Sequence, residues 1–534
     1  MTPMKLMRFF RIVVLGLCLL AAGGLRAEAP KLVVAILVDQ LRADYLDRFR
    51  EHFGEGGFRL LMEQGAWMTS ARYNYAPTLT APGHASFLSG ATPATHGIIG
   101  NDWFDKSSGK SVYCCEDRSV NGVGTDSPAG QMSPRRFVGA TMADQMRLRY
   151  RSKVIGLSLK DRGAILPAGG KPAGAYWFES ASGRFVTSSY YRSELPAWVE
   201  RFNAAGRARG YVGRVWERAL PESAYERPES GPLKFPHPVE VSARGGYEAL
   251  ASSPFGNELV RQFAEAAVEG EKLGSASEPD LLTVSFSCVD YVGHRFGPYS
   301  QEVQDMVVRL DRELAGFFRF LDAKVGLKKT LLVLTADHGV APVPEFAQAE
   351  GLGGGRLDEF ALMGDLLGRL EERFGAGSYL LNRKIFNGHL YFNHEVLLQK
   401  QIEAQTLARF IREWALSTGL FHHAFWREDL LAGLAPGLVG QAILQGYHPE
   451  RGGDVVLVPK PFVIPSAQAS GTTHGSPFSY DTHIPVLFWG APIRPGRYAD
   501  EFWITDIVPT LSEVLRIETP PGCVGKPFVR ALQP

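Results

Sequence analysis

Short apolar runs alternate along the chain with longer segments in which apolar positions recur every three or four residues. The runs are rich in Val, Leu and Ile, which is typical of buried strands. The strand candidates are residues 32–38, 153–159, 281–287, 331–335 and 484–489. The clearest helical segment extends from Ser300 to Ala323, with apolar side chains on one stripe and charged ones opposite. This alternation predicts an α/β fold with a parallel or mixed sheet covered by helices on both faces.

Two long stretches lack this rhythm, at about 165–255 and about 345–470. The first is rich in Gly, Pro, Ser and aromatic residues, and the second contains the loop GLGGGR and a predicted helix near 395–418. Both lie between segments that carry candidate functional residues, so we interpret them as insertions that cap one catalytic domain spanning residues 28–534. The segment TDIVPTLSEVLRI near the end predicts a helix that packs on the core.

The amino terminus has the layout of a secretory signal peptide. Lys5, Arg8 and Arg11 precede an apolar stretch from Ile12 to Leu25, and small residues follow. The apolar stretch is shorter than the roughly 20 residues that a membrane-spanning helix needs. We therefore predict that residues 1–27 are removed and that the protein is periplasmic or secreted, without a stable membrane anchor; an uncleaved amino-terminal anchor is the alternative.

Composition excludes some classes of binding partner and of cysteine site. The formal net charge is +1, so no excess of basic residues favours nucleic-acid binding. Beyond the leader the cysteines are Cys114, Cys115, Cys288 and Cys523. Their number does not suit a disulfide scaffold, and they form no zinc-binding CxxC pair. The alternatives for these cysteines are one or two disulfide bridges, or small buried residues with free thiols.

Acidic residues and histidines follow three of the predicted strands. Asp39 comes after KLVVAILV, Asp290 and His294 after LLTVSFS, and Asp337 and His338 after LLVLTA. Because open α/β folds place their chemistry at the carboxyl ends of the strands, we expect these side chains to meet at one edge. Carboxylates mixed with imidazoles favour zinc, with manganese or iron as alternatives. With a later histidine, His474, the set is large enough for two metal ions.

Thr80 lies in NYAPTLTAPGHASFLSG, where Pro82 suits the first turn of a helix that ends near Ser89. Thr80 is thus a candidate N-cap residue, and its hydroxyl has either this structural role alone or a catalytic one. The exposed N–H groups at a helix amino terminus suit a phosphate group. A hydroxyl activated by a metal ion would be a nucleophile.

Two cations and an amide could hold phosphate oxygens. Lys160 and Arg162 follow a predicted strand, and a guanidinium beside an ammonium suits a doubly charged phosphoryl group. Asn101 follows HGIIG and supplies a neutral donor. Each of these residues alone would be read as an ordinary surface residue.

The motifs together resemble the alkaline phosphatase superfamily, in the branch of the nucleotide pyrophosphatases/phosphodiesterases and the PafA-type phosphate-irrepressible alkaline phosphatases. They are LVDQLR, PTLTAPGH, THGIIGNDW, SLKDRGAILPAG, DYVGH, TADHG and TTHGSPFSYDTHIP, in the family's order. The resemblance implies a three-layer α/β sandwich with a central, mostly parallel sheet and inserted cap segments.

The resemblance also implies roles for the candidate residues. One Zn²⁺ ion would be held by Asp39, Asp337, His338 and the Thr80 oxygen, and a second by Asp290, His294 and His474. Thr80 would attack phosphorus and form a phosphothreonine intermediate, while Asn101, Lys160 and Arg162 hold the phosphate oxygens. His483 is an alternative to His474 as a ligand. The histidines that match no ligand position are His84, His96, His422 and His423.

The implied function is an alkaline phosphatase that acts on small phosphate monoesters, and we expect it to be a monomer. Lys160 and Arg162 favour monoesters because a monoester dianion gains more from two cations than a diester does. The alternatives are a phosphodiesterase or nucleotide pyrophosphatase of the same superfamily, and a non-catalytic, metal-dependent phosphate-binding protein. A sulfatase is disfavoured, since those enzymes carry Cys or Ser at the position of Thr80 and Arg at that of His84.

Overall fold

The structure, a computed structural model, describes residues 29–170, 173–227, 234–242, 246–468 and 470–533. The predicted signal peptide, residues 1–27, lies outside these described residues. In the part of the chain that the structure describes, no helix combines the length and apolar character needed to cross a membrane.

A mixed sheet forms the centre of the molecule. Its strands are β1 (Leu32–Val38), β2 (Ala66–Met68), β3 (Gly122–Val123), β4 (Val154–Ser158), β5 (Gly174–Glu179), β6 (Arg184–Ser188), β7 (Asp280–Phe286), β8 (Thr330–Thr335), β9 (Val486–Trp489) and β10 (Gly496–Tyr498). They lie in the order β10-β2-β9-β8-β1-β7-β4-β5-β6-β3. The middle five strands, from β8 to β5, run parallel to one another, and β9 and β6 pair antiparallel with their ends.

Helices flank this sheet and connect its strands. They are α1 (Asp44–Arg48), α2 (Phe58–Gln64), α3 (Thr80–Ser89), α4 (Pro93–His96), α5 (Met142–Tyr150), α6 (Asp161–Ala168), α7 (Ala197–Ala204), α8 (Glu248–Ala251), α9 (Pro254–Glu271), α10 (Cys288–Phe296), α11 (Gln301–Lys324), α12 (Pro344–Ala349), α13 (Glu359–Phe374), α14 (His394–Gln399), α15 (Ala404–Ser417), α16 (Arg427–Leu431), α17 (Gly437–Gly446), α18 (Ser479–Thr482) and α19 (Ile507–Leu515).

Shorter strands pair outside the main sheet. A three-stranded antiparallel sheet contains His389–Leu390, Val455–Pro459 and Phe421–Trp426. The two-stranded pairs are Ala71–Arg72 with Phe502–Trp503, Asp102–Asp105 with Lys110–Tyr113, Val215–Trp216 with His237–Pro238, and Gly355–Arg356 with Val463–Ile464.

The predicted strands are all present, and their bounds differ from the predictions by at most two residues. Every residue of β1, β7 and β8 is buried, which explains why these strands are continuous apolar runs and not alternating patterns. The strand predicted at 484–489 joins the sheet as β9, antiparallel to β8. The sheet is therefore mixed, as the pattern allowed.

The helical predictions agree with the structure in part. The predicted Ser300–Ala323 helix is α11, and the Ser300 side chain caps it by accepting a hydrogen bond from the Val303 N–H. The single helix predicted near 395–418 is wrong, because α14 ends at Gln399 and α15 begins at Ala404. Between them Gln401 has a left-handed backbone (φ 56°), which interrupts the helical path. The late segment TDIVPTLSEVLRI forms α19.

The two irregular stretches differ in structure. Residues 174–188 in the first stretch add β5 and β6 to the main sheet. The second stretch, within residues 357–463, has a separate apolar cluster that includes Leu366, Leu407 and Ile411. The four cysteines beyond the predicted leader are free thiols, and the Sγ atoms of Cys114 and Cys115 are 3.9 Å apart.

Candidate active site and metal centre

Three adjacent parallel strands deliver the predicted acidic residues to one edge of the sheet. Asp39 directly follows β1, Asp290 lies in the first turn of α10 after β7, and Asp337 follows β8. Since β1 pairs with β7 on one side and with β8 on the other, the carboxyl ends of these strands lie side by side. The parallel register thus brings together residues that are up to 298 positions apart in the sequence.

A first group of side chains converges on His338. Its Nε2 atom is 3.5 Å from Asp39 Oδ1, 3.4 Å from Asp337 Oδ2 and 3.5 Å from Thr80 Oγ1. All four residues are buried. These are the four residues that the family resemblance assigned to one zinc ion.

A second group lies next to the first. Asp290 Oδ1 is 3.1 Å from His294 Nε2 and 3.7 Å from His474 Nε2. The His474 ring stacks on the His338 ring, with centroids 3.4 Å apart. The residues predicted for the second zinc ion therefore also lie together. The stacked rings of His338 and His474 connect the two groups.

Backbone carbonyls orient all three histidines in the same way. The Nδ1 atoms of His338, His294 and His474 lie 2.9, 2.8 and 2.8 Å from the carbonyl oxygens of Gly339, Thr472 and Thr78, respectively. An Nδ1–H that donates to a carbonyl leaves the Nε2 lone pair free and pointed at the carboxylates. This is the usual outer arrangement around a histidine that binds a metal ion.

Burial and neighbouring charges adjust the protonation of these groups. Burial lowers the pKa of His338 to about 3, and burial with the nearby His338 and His294 rings lowers the pKa of His474. Burial and the adjacent Asp39 carboxylate raise the pKa of Asp337. The two histidines are therefore neutral at ordinary pH, which is the form that ligates metals.

The donor atoms fit metal ions. Asp39 Oδ1 and Asp337 Oδ2 are buried carboxylate oxygens without a hydrogen-bond partner, and buried polar atoms normally have one. Among the described residues, Asp290, His294 and His474 form one group that could hold an ion, and Asp39, Asp290 and His338 form another. Asp290 thus approaches both groups, a feature that the sequence did not predict.

Thr80 is not the N-cap residue that the sequence suggested. It is the first residue of α3, and Leu79 with extended backbone (φ −124°, ψ 160°) precedes it. The Thr80 hydroxyl faces His338 Nε2. The Ala81 N–H, in the first turn of this helix, donates to Asn101 Oδ1 at 2.9 Å. Asn101 therefore lies beside Thr80 and caps the helix in its place.

Lys160 connects the two donor groups. Its Nζ atom donates to Asp39 Oδ2 and to Asp290 Oδ2, at 2.6 Å in both cases. Burial alone would lower the pKa of Lys160, but the Asp290 and Asp39 carboxylates raise it above its usual value. The ammonium is thus charged and bonds to the Oδ2 atoms of Asp39 and Asp290. Oδ1 of Asp39 remains directed at His338 in the first group.

Arg162 lies in the first turn of α6, two residues after Lys160. Its Nη1 atom donates to the Tyr113 hydroxyl at 3.1 Å, and that hydroxyl donates to Asp161 Oδ1 at 2.7 Å. Lys160 and Arg162 line the same cavity, of about 320 Å³, together with Tyr113 and Tyr291. The predicted phosphate-binding cations therefore share one opening.

Two residues at the site were missed by the sequence reasoning. Gln40 has a left-handed backbone (φ 67°), and its N–H donates to Asp337 Oδ1 at 3.0 Å while its Nε2 atom donates to Asp290 Oδ1 at 2.7 Å. His84, assigned no role at the site, has its Nδ1 atom 3.4 Å from Asp337 Oδ2. The sequence offered one signal for each of them: Gln40 directly follows Asp39, and His84 lies one helical turn after Thr80.

The remaining histidines lie outside both groups. His483 Nε2 is 2.9 Å from the Thr69 carbonyl, and His96 Nε2 is 3.0 Å from Ser86 Oγ. His422 and His423 belong to the strand Phe421–Trp426 in the second irregular stretch.

Comparison with known proteins matches residues 33–477 to the family described as type I phosphodiesterase / nucleotide pyrophosphatase. The chain belongs to this family. It is 38% identical to alkaline phosphatase PafA from Elizabethkingia meningoseptica, over 94% of this chain and 94% of that protein. It is 39% identical to alkaline phosphatase PhoV from Synechococcus elongatus, over 93% of this chain and 92% of that protein.

The fold agrees with the family assignment. The structure superposes on the crystal structure of wild-type PafA with a TM-score of 0.89, and the match covers 95% of this chain and 99% of that one. The predicted family and the predicted alkaline-phosphatase-like α/β fold are thus confirmed, and with them the prediction that this phosphodiesterase-family chain is a hydrolase.

Proposed function

We propose that this protein is an exported, two-zinc alkaline phosphatase that hydrolyses small phosphate monoesters through a phosphothreonine intermediate on Thr80. The observation that carries the proposal is the convergence of Thr80 Oγ1, Asp39 Oδ1 and Asp337 Oδ2 around His338 Nε2, each within 3.5 Å. A binding protein would have no need of a hydroxyl among these donors. The family relatives named alkaline phosphatases support the same reaction.

Asp39, Asp337, His338 and Thr80 would hold one zinc ion, and Asp290, His294 and His474 the other. Mixed carboxylate and imidazole donors suit zinc. When bound, the ions would supply Lewis-acid stabilisation of charged oxygens and lower the pKa of the oxygens that they bind. The carbonyls that accept from each Nδ1–H fix the three imidazoles for this role.

Thr80 would act as the nucleophile in an in-line displacement. Its Oγ1 gives up its proton to solvent and forms a bond to phosphorus, while the bond between phosphorus and the ester oxygen breaks. The ester oxygen takes up a proton from solvent and leaves as the alcohol. Water then attacks the phosphothreonine, which regenerates the Thr80 hydroxyl and releases phosphate. Asn101 caps the helix start and lies next to Thr80, so that its amide can orient a phosphate oxygen.

Lys160 and Arg162 support a preference for monoesters. The phosphate of a monoester carries two negative charges, and two cations on its non-bridging oxygens stabilise it more than a singly charged diester. The match to a family described as phosphodiesterase and nucleotide pyrophosphatase favours the second candidate, a diesterase. We propose weak diesterase activity as a by-product.

The proposal extends to the whole chain. Residues 1–27 would be removed as a signal peptide, and residues 28–534 would form one catalytic domain with insertions at about 165–255 and 345–470. The basic residues before the apolar stretch Ile12–Leu25 support export to the periplasm or the medium. We expect the mature enzyme to be a monomer.

The test compares hydrolysis of 4-nitrophenyl phosphate with that of methyl 4-nitrophenyl phosphate, alongside zinc analysis of the purified protein. Arg162→Ala removes a cation that bonds to Tyr113 and not to the metal-site carboxylates, so zinc content should stay at two ions per chain. We expect its kcat/KM for the monoester to fall about 10²- to 10³-fold, and that for the diester less than about tenfold. The double variant Lys160→Ala/Arg162→Ala should widen this difference.

Arg149→Ala is the matched control, because Arg149 is exposed on α5. It should change neither rate. Equal losses on both substrates in Arg162→Ala would overturn the monoester assignment, and a wild-type protein that prefers the diester would favour the second candidate.

A further inference from the structure

A cavity of about 320 Å³ lies between the main core and the second irregular stretch. Its wall on the core side includes Leu79 and His474. On the other side Phe386, Tyr447 and Val458 contribute aliphatic and aromatic surface. Asp102, Glu359, Lys384 and Asp481 add charged groups to the lining, which is more apolar than polar. Cavities of roughly 300 to 1,000 Å³ with mostly apolar walls are typical of sites for small organic molecules.

The walls are built by segments that are tied to the core. The Ala76 N–H donates to the Ala442 carbonyl at 3.0 Å, and Asn387 Nδ2 donates to the Asp102 carbonyl at 2.9 Å. Arg451 Nη1 donates to the Arg136 carbonyl at 2.8 Å. These three hydrogen bonds join the second stretch to the core, so protein contacts hold the walls of the cavity together.

The strand Val455–Pro459 presents a different face to each of two apolar clusters. Val455 and Leu457 belong to the interior cluster of residues 357–463, whereas Val456 and Val458 belong to a small cluster with Tyr447 beside the cavity. Side chains alternate along a strand, so Val455 and Val458 point to opposite faces. Val456, Leu457, Val458 and Pro459 line the cavity, and Val455 does not. Val455 and Val458 are therefore two valines of one strand, of which only Val458 lines the cavity.

The cavity is adjacent to the proposed reaction centre. Leu79 immediately precedes Thr80, and His474 Nε2 is 3.7 Å from Asp290 Oδ1. Lys160 and Arg162 do not line this cavity; they line a different one. The centre thus lies between a cationic opening that suits the phosphate and a mostly apolar one that suits an uncharged organic group.

We propose that this apolar cavity binds the organic group of the phosphate ester, and that the enzyme favours esters of aryl or similarly bulky apolar alcohols. This inference rests on the proposed phosphatase function. The phosphate would face Lys160 and Arg162, while the departing alcohol lies against Leu79 and the wall that contains Val458. Burying an apolar ring there would raise kcat/KM for aryl esters relative to esters of small alcohols.

The test measures kcat/KM for 1-naphthyl phosphate and for methyl phosphate, and uses the ratio of the two values so that intrinsic reactivity cancels between variants. Val458→Phe places a ring in the cavity, and we expect the naphthyl-to-methyl ratio to fall at least about tenfold, as for a pocket that loses room for a group of this size. Val455→Phe, the same substitution on the opposite face of the strand, should leave the ratio unchanged. Thermal melting would check that both variants fold.

A second readout does not require turnover. The inhibition constant of 1-naphthylmethylphosphonate, relative to that of methylphosphonate, should rise in Val458→Phe by a similar factor. If Val458→Phe does not fold, Val458→Ala enlarges the cavity instead, and the ratio of 4-biphenylyl to methyl phosphate hydrolysis should increase. An unchanged ratio in the folded variant, or an equal change in Val455→Phe, would overturn the inference.

The outcomes separate the two proposals. A wild-type protein that hydrolyses neither monoester contradicts the phosphatase function. A wild-type protein that hydrolyses both, with ratios that do not respond to Val458, contradicts only the role of the cavity.

Discussion

The carboxyl edge of the main sheet and the stretch of residues 357–463 are built in opposite ways. At the edge, fully buried strands end in carboxylates and imidazoles, so that a rigid apolar scaffold presents polar groups. In the stretch, short strands and helices enclose a cluster of their own and line an apolar cavity. The comparison teaches that reactive groups and the shape around them come from separate parts of the chain, which can therefore be altered separately.

The largest expected effect is at the edge. Thr80→Ala removes the proposed nucleophile but leaves the carboxylates and histidines in place, so we expect kcat to fall about 10⁴-fold or more. Zinc content should remain at the wild-type value. Steady-state kinetics and metal analysis of the same preparation would measure both.

Thr418→Ala in the second stretch is the matched control. The Thr418 hydroxyl, after the end of α15, donates to the Ala415 carbonyl at 2.7 Å and accepts from the Leu420 N–H at 3.2 Å, both within the second stretch. Its rate should stay within about twofold of the wild-type rate, as expected for a surface substitution. Undiminished activity of Thr80→Ala would contradict the assignment of the nucleophile.

Removal of metal should reduce protection from hydrogen exchange more at the carboxyl edge of the main sheet than in the second stretch. Ligands that bind only the folded state stabilise it by about 4 kcal/mol when present at a thousand times their dissociation constant. A chelator should therefore abolish activity and lower the melting temperature. Hydrogen exchange should increase first at the ends of β1 and β7 and least in the strand Val455–Pro459. Uniform loss of protection in both regions would count against a metal site at the edge.

The smallest effect concerns two buried histidines, His96 in α4 outside the second stretch and His389 within it. The Nδ1 atom of His96 accepts from the Ile98 N–H, and that of His389 accepts from the Gly453 N–H, both at 3.1 Å. Burial and neighbouring cations lower the pKa of His96 to about 3 and that of His389 to about 4. Below about pH 6.5 the unfolded chain binds protons that the folded one does not. Folding stability should thus fall as the pH drops from about 6.5 toward 4, by at most about 1.4 kcal/mol per pH unit for each histidine.

Asn retains an acceptor for each backbone N–H but does not titrate. The free energy of unfolding of His96→Asn and of His389→Asn should therefore depend less steeply on pH in this range than that of the wild type. Urea unfolding at several pH values would measure the slopes. A slope that stays unchanged in both variants would show that these imidazoles do not couple to folding.

The residues at the carboxyl edge of the sheet could be predicted from the sequence because each of them follows the apolar run of its own strand. Long buried strands leave apolar runs, and Asp39, Asp290 and Asp337 are readable as the polar residues that follow them. The sharing of Asp290 between both donor groups was not readable, since it depends on how α10 leaves β7. The capping of α3 by Asn101 was missed for the same reason, because the acceptor comes from 20 residues later in the chain.

The irregular stretches were harder to predict. The strands Gly174–Glu179 and Arg184–Ser188 lie among Gly, Ser and aromatic residues, so their pattern did not stand out. The break between α14 and α15 depends on one left-handed residue, Gln401. The cavity has no sequence signature, because its walls come from segments that meet only in the folded protein.

The carbonyl of Thr78, which accepts from His474 Nδ1, lies two residues before Thr80. The Thr78 hydroxyl also donates to the Ser476 carbonyl at 2.9 Å. The loop that carries His474 is therefore hydrogen-bonded to the same short segment that carries Thr80 Oγ1, the proposed nucleophile. Thermal displacements of the two groups should be correlated, so that their separation varies less than either position does.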